Sequence, residues 1–553
     1  RSTMTGSGHS FFKRLALATA FSGLTACGGG SSDPPPSRAP ETADQIATPL
    51  AAPPGSTQAQ WPPAFQTLPS SACSPPLVGS HATYHVGPGR QYTELTDVPW
   101  LSLQAGDVVN IYHRAAPYKT KFGLRAQGTA NAPVYINGVT DAQCNRPVIS
   151  GDGAVTATDA ARLNFGEDIQ NNGLIQIYRL STDDRNTYTP RYITIQNLKV
   201  MNAQRGKSFK GNAGDNRLYD DTASGIYAIR VAHLTVENCE ITENGNGVFT
   251  NTRGLGAADF SAYVIIRRNQ IYLNGNANRS TEHGLYIQAY RTLYEGNFIG
   301  QDRGGSSLKD RSSGTVVRYN KILASARALD LVETEEEYVQ ILQLDPLYHH
   351  AWVYGNVLVN DFNAPLGNSA RPIHWGHDNN GSRARTGTLF FYGNTYVNKS
   401  KSSQYYYTTV FQIGGNDDDV VSPNTRVEAS GNIFWNDDGS TQWFFLANRS
   451  NGKVHFRGTN HVPTAWDATE KNSSRVTVAG NHLVGDQPGL ATATYWPLAG
   501  SSVLNKGIAG PSFTPAGATA ANLVVQGVFT EPMGIARRPT LGGALDLGAM
   551  EAH

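Results

Sequence analysis

The chain has 553 residues and nearly balanced charge, 45 Lys and Arg against 44 Asp and Glu, for a formal net charge of +1. That balance excludes a global field that would steer a nucleic acid or a polyanion, so an anionic ligand must be held locally. Charged residues make up only 16% while Gly (57 residues) and aromatics (10%) are plentiful, which argues against a disordered or helical protein and for turn-rich β structure.

Arg1-Ser2-Thr3 precede Met4 and read as an extension. Lys13-Arg14, a short apolar run from Leu15 to Gly23, and Leu24-Thr25-Ala26-Cys27 then have the layout of a bacterial lipoprotein signal cleaved before Cys27. The competing reading is an ordinary export signal with an incidental Cys. The apolar run is too short to span a bilayer. Residues 1–27 are therefore expected to direct the protein to the bacterial cell envelope or to secretion, with membrane contact only through a lipid on Cys27. The next stretch, 28–80, is rich in Pro, Gly, Ser and Ala and reads as a tether. In an oxidising compartment Cys73 and Cys144 suit a disulfide, whereas Cys239, inside the apolar pattern VENCEI, suits the core.

Folded structure is expected over 81–553. YHVGPGRQYTEL predicts a first strand and a capping turn; LQAGDVVNIY, PVYINGV and PVISGDG predict further strands. A degenerate unit then recurs: alternating apolar residues, an Asn, and a second apolar pair. Its Asn residues are Asn197, Asn238, Asn269, Asn297, Asn320, Asn356, Asn394, Asn432 and Asn481. One such unit cannot bury its apolar side chains, but stacked units can, and Asn at each bend would form a ladder of amides serving unpaired backbone groups. The expected fold is all-β, a right-handed parallel β-helix with an N-terminal cap and loop insertions. An even-bladed propeller or a sandwich fits the repeated Asn bend less well.

Two segments stand apart. Thr334 to Glu337 has the form of a capping box and predicts an inserted helix or loop continuing through Leu344. From about Gly485 the chain is expected to finish and cap the solenoid.

Side chains alternate along a strand, so apolar inward residues identify their outward neighbours. With Ile226, Val248, Leu285, Leu308, Leu329, Ile373 and Phe411 inward, the outward row reads Tyr227, Phe249, Tyr286, Lys309, Asp330, His374 and Gln412. A second row, two residues on, includes Asn251, Gln288 and Arg311. Asp310 is expected to point inward and to pair with a cation or backbone donors. Glu282 and His283 adjoin the row from the preceding turn. Aromatics, amides and cations together suit a sugar polymer, and an acidic polysaccharide is the expected partner.

Over residues 81 to 500 this coil pattern, with His283-Gly284-Leu285-Tyr286 and Leu308-Lys309-Asp310-Arg311, resembles the right-handed β-helix polysaccharide lyases of the chondroitinase B and alginate lyase group. In that group a Lys removes the C5 proton of a uronic acid, an Arg assists the leaving oxygen, and a cation, often calcium, neutralises the carboxylate. The resemblance implies Lys309 as base and Arg311 as carboxylate clamp or acid. It departs from the group in placing both on one strand, which leaves Tyr286 or His283 as alternative acids. Asn251, Gln288, Asp330 and His374 are the expected substrate contacts. Asp330 and Glu333 are the side chains expected to hold calcium if a cation is used; no other cofactor is implied. A monomeric lyase is the leading expectation. The competing functions are an inverting hydrolase with Asp330 as one carboxylate, a C5-epimerase, or an adhesin-like binding surface, and the competing reading of the Lys309-Asp310-Arg311 run is a solvated charge cluster.

Overall fold

The computed structural model describes residues 60–70, 73–157, 168–252, 257–335, 342–361, 371–378, 381–399, 407–415, 424–437, 442–446 and 452–552. Cys27, Gly28 to Ala59, Glu336 to Ile341, Tyr405-Tyr406 and Asp417 to Asp419 lie outside them.

Three long sheets carry the chain. One 13-stranded sheet runs from Thr83–Val86 to Val476–Val478, another from Asn216–Leu218 to Gln442–Leu446, and an 11-stranded sheet from Val148–Ser150 to Leu483–Val484. Each strand pairs in parallel with its equivalents in the coils before and after, apart from the antiparallel hairpin of Ser208–Lys210 with Asn216–Leu218 at one end. The chain visits the sheets in turn, which makes the molecule a right-handed parallel β-helix. The inward residues Ile226, Val248, Leu285, Leu308, Leu329, Ile373 and Phe411 are all fully buried in one continuous core. A single coil could not have excluded water from them.

The bend ladder forms, with a shift the repeat did not reveal. Asn269, Asn297, Asn320, Asn356, Asn394 and Asn432 each donate a backbone N–H to the side-chain oxygen of the next member at 2.9–3.0 Å, and Asn432 passes the series to Asn460. The residue before each of the first six has positive φ, from 51° at Arg268 to 68° at Gly431. At Asn197 and Asn238 the Asn itself takes that left-handed position (φ 63° and 52°), and Cys239 fills the inner place, donating its N–H to Asn269 at 2.9 Å. Asn tolerates the left-handed region better than most residues, so either place suits it. Asn481 is exposed; His482 ends the ladder by accepting from the Asn460 N–H at 3.2 Å. A second, shorter ladder runs from Asn244 through Asn274 and Asp302 to Ser325.

Ordered packing begins ahead of residue 81. Trp61 is buried with its indole N–H on the Gly314 carbonyl at 2.7 Å, Leu68 bridges to Ile535, and Cys73 is disulfide-bonded to Cys144. The stretch read as tether therefore packs on the solenoid from residue 60, because Trp61, Leu68 and Cys73 give an otherwise Pro-rich segment something to bury. The C-terminal segment does not stack as further coils. It runs back alongside them, with Gly548 donating to Gly431 and Gly534 to Gly296, and buries Leu523, Val525 and Ile535 against Tyr319, Tyr354 and Tyr392. Of the segment expected as an inserted helix or loop, Glu336 to Ile341 lie outside the described residues; a 3-10 turn, Pro346–His349, capped by Asp345, follows it.

Candidate functional site

Backbone pairing aligns Tyr227, Phe249, Tyr286, Lys309, Asp330, His374 and Gln412 on consecutive strands of the second sheet. Neighbours in such a row lie about 4.8 Å apart and touch. The Tyr227 and Phe249 rings stack at 5.2 Å, and Phe249 meets Tyr286 edge-on at the same distance. At Lys309 the row changes from aromatic to charged.

Lys309 Nζ donates to Asp330 Oδ2 at 2.7 Å and to Asp378 Oδ2 at 2.6 Å. Arg311 reaches the same Asp378, donating to its two oxygens at 3.1 and 3.0 Å, and donates to the Glu333 carbonyl at 2.6 Å. The carboxylates of Glu333 and Glu335 lie 3.5 and 3.4 Å from Arg311. Lys309 lies on the strand Ser306–Asp310 and Arg311 one residue past its end, not on the same strand as expected, yet the two converge on one carboxylate. Asp330 is held well below the usual carboxylate range: burial would raise it, but Lys309 and the His374 hydrogen bond outweigh burial. Asp378 is likewise lowered, with burial opposed by Lys309 and Arg311.

Asp378 had no signal in the repeat. It lies in the irregular segment after Ile373–Trp375, outside any strand, and its backbone N–H donates to Glu333 Oε2 at 2.9 Å. The one available cue was position: it follows His374, a member of the outward row, by four residues.

Asp310 points inward as expected. It is fully buried and accepts from Thr292 at 2.9 Å, Tyr294 at 2.6 Å and the Ser312 N–H at 3.0 Å, with Arg385 3.4 Å away. Glu282 is also buried and pairs with Arg279 at 3.1 Å.

His283 and Tyr286 stand beside the charged group. His283 Nδ1 accepts the Ser306 N–H at 2.8 Å, so the neutral ring carries its proton on Nε2. Burial, reinforced by Lys309, lowers its pKa to about 3. Its ring meets Tyr286 edge-on at 5.1 Å. Burial, with Glu335 next in weight, pushes the Tyr286 hydroxyl well above its ordinary value, so it keeps its proton at neutral pH.

The other expected contacts are engaged within the protein. His374 Nδ1 lies 2.8 Å from Asp330 Oδ1 and its Nε2 donates to the Gly414 carbonyl at 2.7 Å, so neither ring nitrogen faces the groove. Gln288 donates to Asn251, and its Oε1 accepts the Glu335 N–H at 2.8 Å. Asp330 and Glu333, the side chains expected to hold calcium, are engaged in ion pairs. Each already faces a cationic side chain, and no group of three or more His, Cys, Asp or Glu among the described residues is placed to hold a metal ion. Lys309 is 7% exposed and Arg311 1%, whereas Tyr286 and Asp378 are half-buried and border solvent.

The family model of a right-handed beta helix region matches residues 148–340. No curated protein matches the chain. Among solved structures, the pectate lyase Pel9A is similar at 13% identity and a TM-score of 0.41, over 85% of this chain and 96% of that one. The native GH136 lacto-N-biosidase from Eubacterium ramulus is similar at 13% identity and a TM-score of 0.42, over 73% and 68%. Pectin methylesterase PemA from Erwinia chrysanthemi is similar at 10% identity and a TM-score of 0.22, over 75% and 92%. At these identities the likeness concerns the fold.

Proposed function

We propose that the chain is a carbohydrate-active enzyme that cleaves a uronic-acid-containing polysaccharide by β-elimination, with Lys309 as base. The observation that carries this reading is Lys309 standing between two carboxylates at the end of an aromatic row, with Arg311 on the same Asp378. A polymer lying along the row would set its apolar ring faces against Phe249 and Tyr286. In the resting cluster the Lys309 ammonium donates to Asp330 and Asp378, so it must lose one proton to solvent before acting. Asp378, half-buried on an irregular segment, is the partner that an incoming sugar displaces from Lys309 while it stays paired with Arg311. The Nζ lone pair then removes the C5 proton, the C4–O bond breaks, and a C4–C5 double bond forms. Lys309 returns to an ammonium paired with Asp330. The departing oxygen takes the Tyr286 proton, which solvent replaces. His283 is unsuited to the base role because its Nδ1 is occupied and its basicity is low. In this proposal the enzyme works as a monomer at the bacterial envelope, anchored through Cys27.

A second reading follows from the carboxylate pair. Asp330 and Asp378 both contact Lys309 Nζ, so their Oδ2 atoms are no further apart than 2.7 and 2.6 Å combined. That upper limit excludes the about 6.5–9.5 Å of an inverting hydrolase and just reaches the about 5–5.5 Å of a retaining one. One experiment separates the two. The protein is incubated with pectate, alginate and chondroitin while ultraviolet absorbance of unsaturated uronate and reducing ends are followed together. Both signals are expected. Reducing ends alone would reject the lyase in favour of the hydrolase, and binding without either signal would reject both.

A further inference from the structure

Lys309 and Arg311 are saturated by carboxylates, but a third cation of the same cluster is not. Arg327 begins the strand Arg327–Leu331, one coil beyond Lys309, in register with Ser306. Its guanidinium donates to Gln412 Oε1 at 2.9 Å and to the Arg371 carbonyl at 3.5 Å, and both acceptors are neutral. Among the described residues it makes no ion pair, whereas Lys309 makes two and Arg311 three. Gln412 is itself buried in the outward row; its amide donates to the Gly414 carbonyl at 3.1 Å, which turns Oε1 towards Arg327.

The electrostatics divide the same way. Burial lowers the pKa of Arg327, and Asp330 and Asp378 oppose it only from a distance. For Arg311 the same burial is outweighed by Tyr286, Glu335, Asp378 and Glu333, which hold it above its ordinary value. A half-buried guanidinium that is oriented by neutral acceptors and lacks a counter-ion keeps its charge for an anion from outside, and the planar fork suits a carboxylate. Arg311, the clamp or acid that the lyase resemblance implies, has spent its donors on Asp378 and the Glu333 carbonyl.

We infer that Arg327 binds the carboxylate of a uronic acid in the groove and thereby selects acidic over neutral sugars. This rests on the polysaccharide reading above. Calorimetric titration with tetragalacturonate, tetramannuronate and an unsulfated chondroitin tetrasaccharide, each beside its carboxyl-reduced counterpart, tests it. The unmodified protein should prefer at least one acidic oligomer by roughly ten- to a hundredfold, as a charge-assisted hydrogen bond implies. Arg327→Gln should bring that oligomer down to its reduced counterpart without changing the affinity of the latter, and Arg327→Lys should keep part of the preference. Preference retained in Arg327→Gln, or no preference in the unmodified protein, would overturn the inference. If Arg327→Gln fails to fold, Arg327→Lys decides, and full preference there counts against a bidentate contact. The β-elimination reading fails separately: loss of the ultraviolet signal alongside an intact, Arg327-dependent preference would discard the chemistry and keep the receptor.

Discussion

The Asn ladder and the charged row are both columns of buried polar side chains with one member per coil, yet they are satisfied in opposite ways. In the ladder each amide both donates and accepts, so identical residues stack without net charge and absorb backbone groups at the bend. Asn356, for example, accepts from the Asn320 N–H and donates to Asn394 Oδ1 and to the Val317 and Tyr354 carbonyls. In the row the residue changes with every coil from Tyr286 to Gln412, and Lys309 is met by Asp330 within the row and by Asp378 from outside the repeat. Repetition here marks structure, and its interruption marks the place where chemistry is possible.

Breaking the row should have the largest effect. Lys309→Ala is expected to lower turnover by roughly a hundredfold to ten-thousandfold, as removal of a general base does, measured by unsaturated-uronate formation. It also leaves Asp330 and Asp378 facing each other, at a stability cost of about 3–5 kcal/mol in urea unfolding. Turnover retained in that variant would remove Lys309 from the mechanism.

Breaking the ladder should touch stability alone. Asn356→Ala strands the Asn320 N–H and should cost about 1–3 kcal/mol, with turnover per folded molecule unchanged. A change in turnover larger than in stability would blur the distinction between the two columns.

Asp302 sharpens the comparison, because it is an ionisable residue in a ladder otherwise built of Asn and Ser. Burial, opposed by hydrogen bonds from Asn274, raises its carboxyl to about 8. The folded protein therefore holds a proton that the unfolded chain, with a carboxyl near about 4, gives up. Stability contributed by this group is full below about pH 4 and falls as pH rises towards the folded value. Asp302→Asn should match the parent at pH 4 and exceed it by more than about 1 kcal/mol at pH 9, read from thermal unfolding across pH. Equal pH profiles would mean that the carboxyl is ionised in the fold. The smallest effect is expected at Asn481, which shares the sequence unit but is exposed: Asn481→Ala should change stability by less than about 0.5 kcal/mol.

The legibility of these features follows their range. The outward row was readable because strand alternation and coil stacking are local rules applied repeatedly, and every aligned pair from Tyr227 to Gln412 follows from them. The ladder was readable as a pattern but not in register at its ends, since Asn serves equally in the left-handed position at 197 and 238 and in the inner position from 269 onward. Asp378 was not readable, because a residue on an irregular segment is placed by tertiary packing and carries no period. The path of the C-terminal segment was hidden for a related reason: its apolar residues pack against the outside of coils far away in sequence.

The sequence by itself determined that apolar units must stack, which side chains face outward, and that Tyr286, Lys309 and Asp330 are neighbours, because those outcomes depend on backbone periodicity. Only the tertiary structure decided which charges meet. Lys309 and Arg311 are joined through Asp378, and Arg327 is left without a carboxylate among the described residues, because ion pairing depends on distances of a few ångströms that the alternation of a strand does not encode.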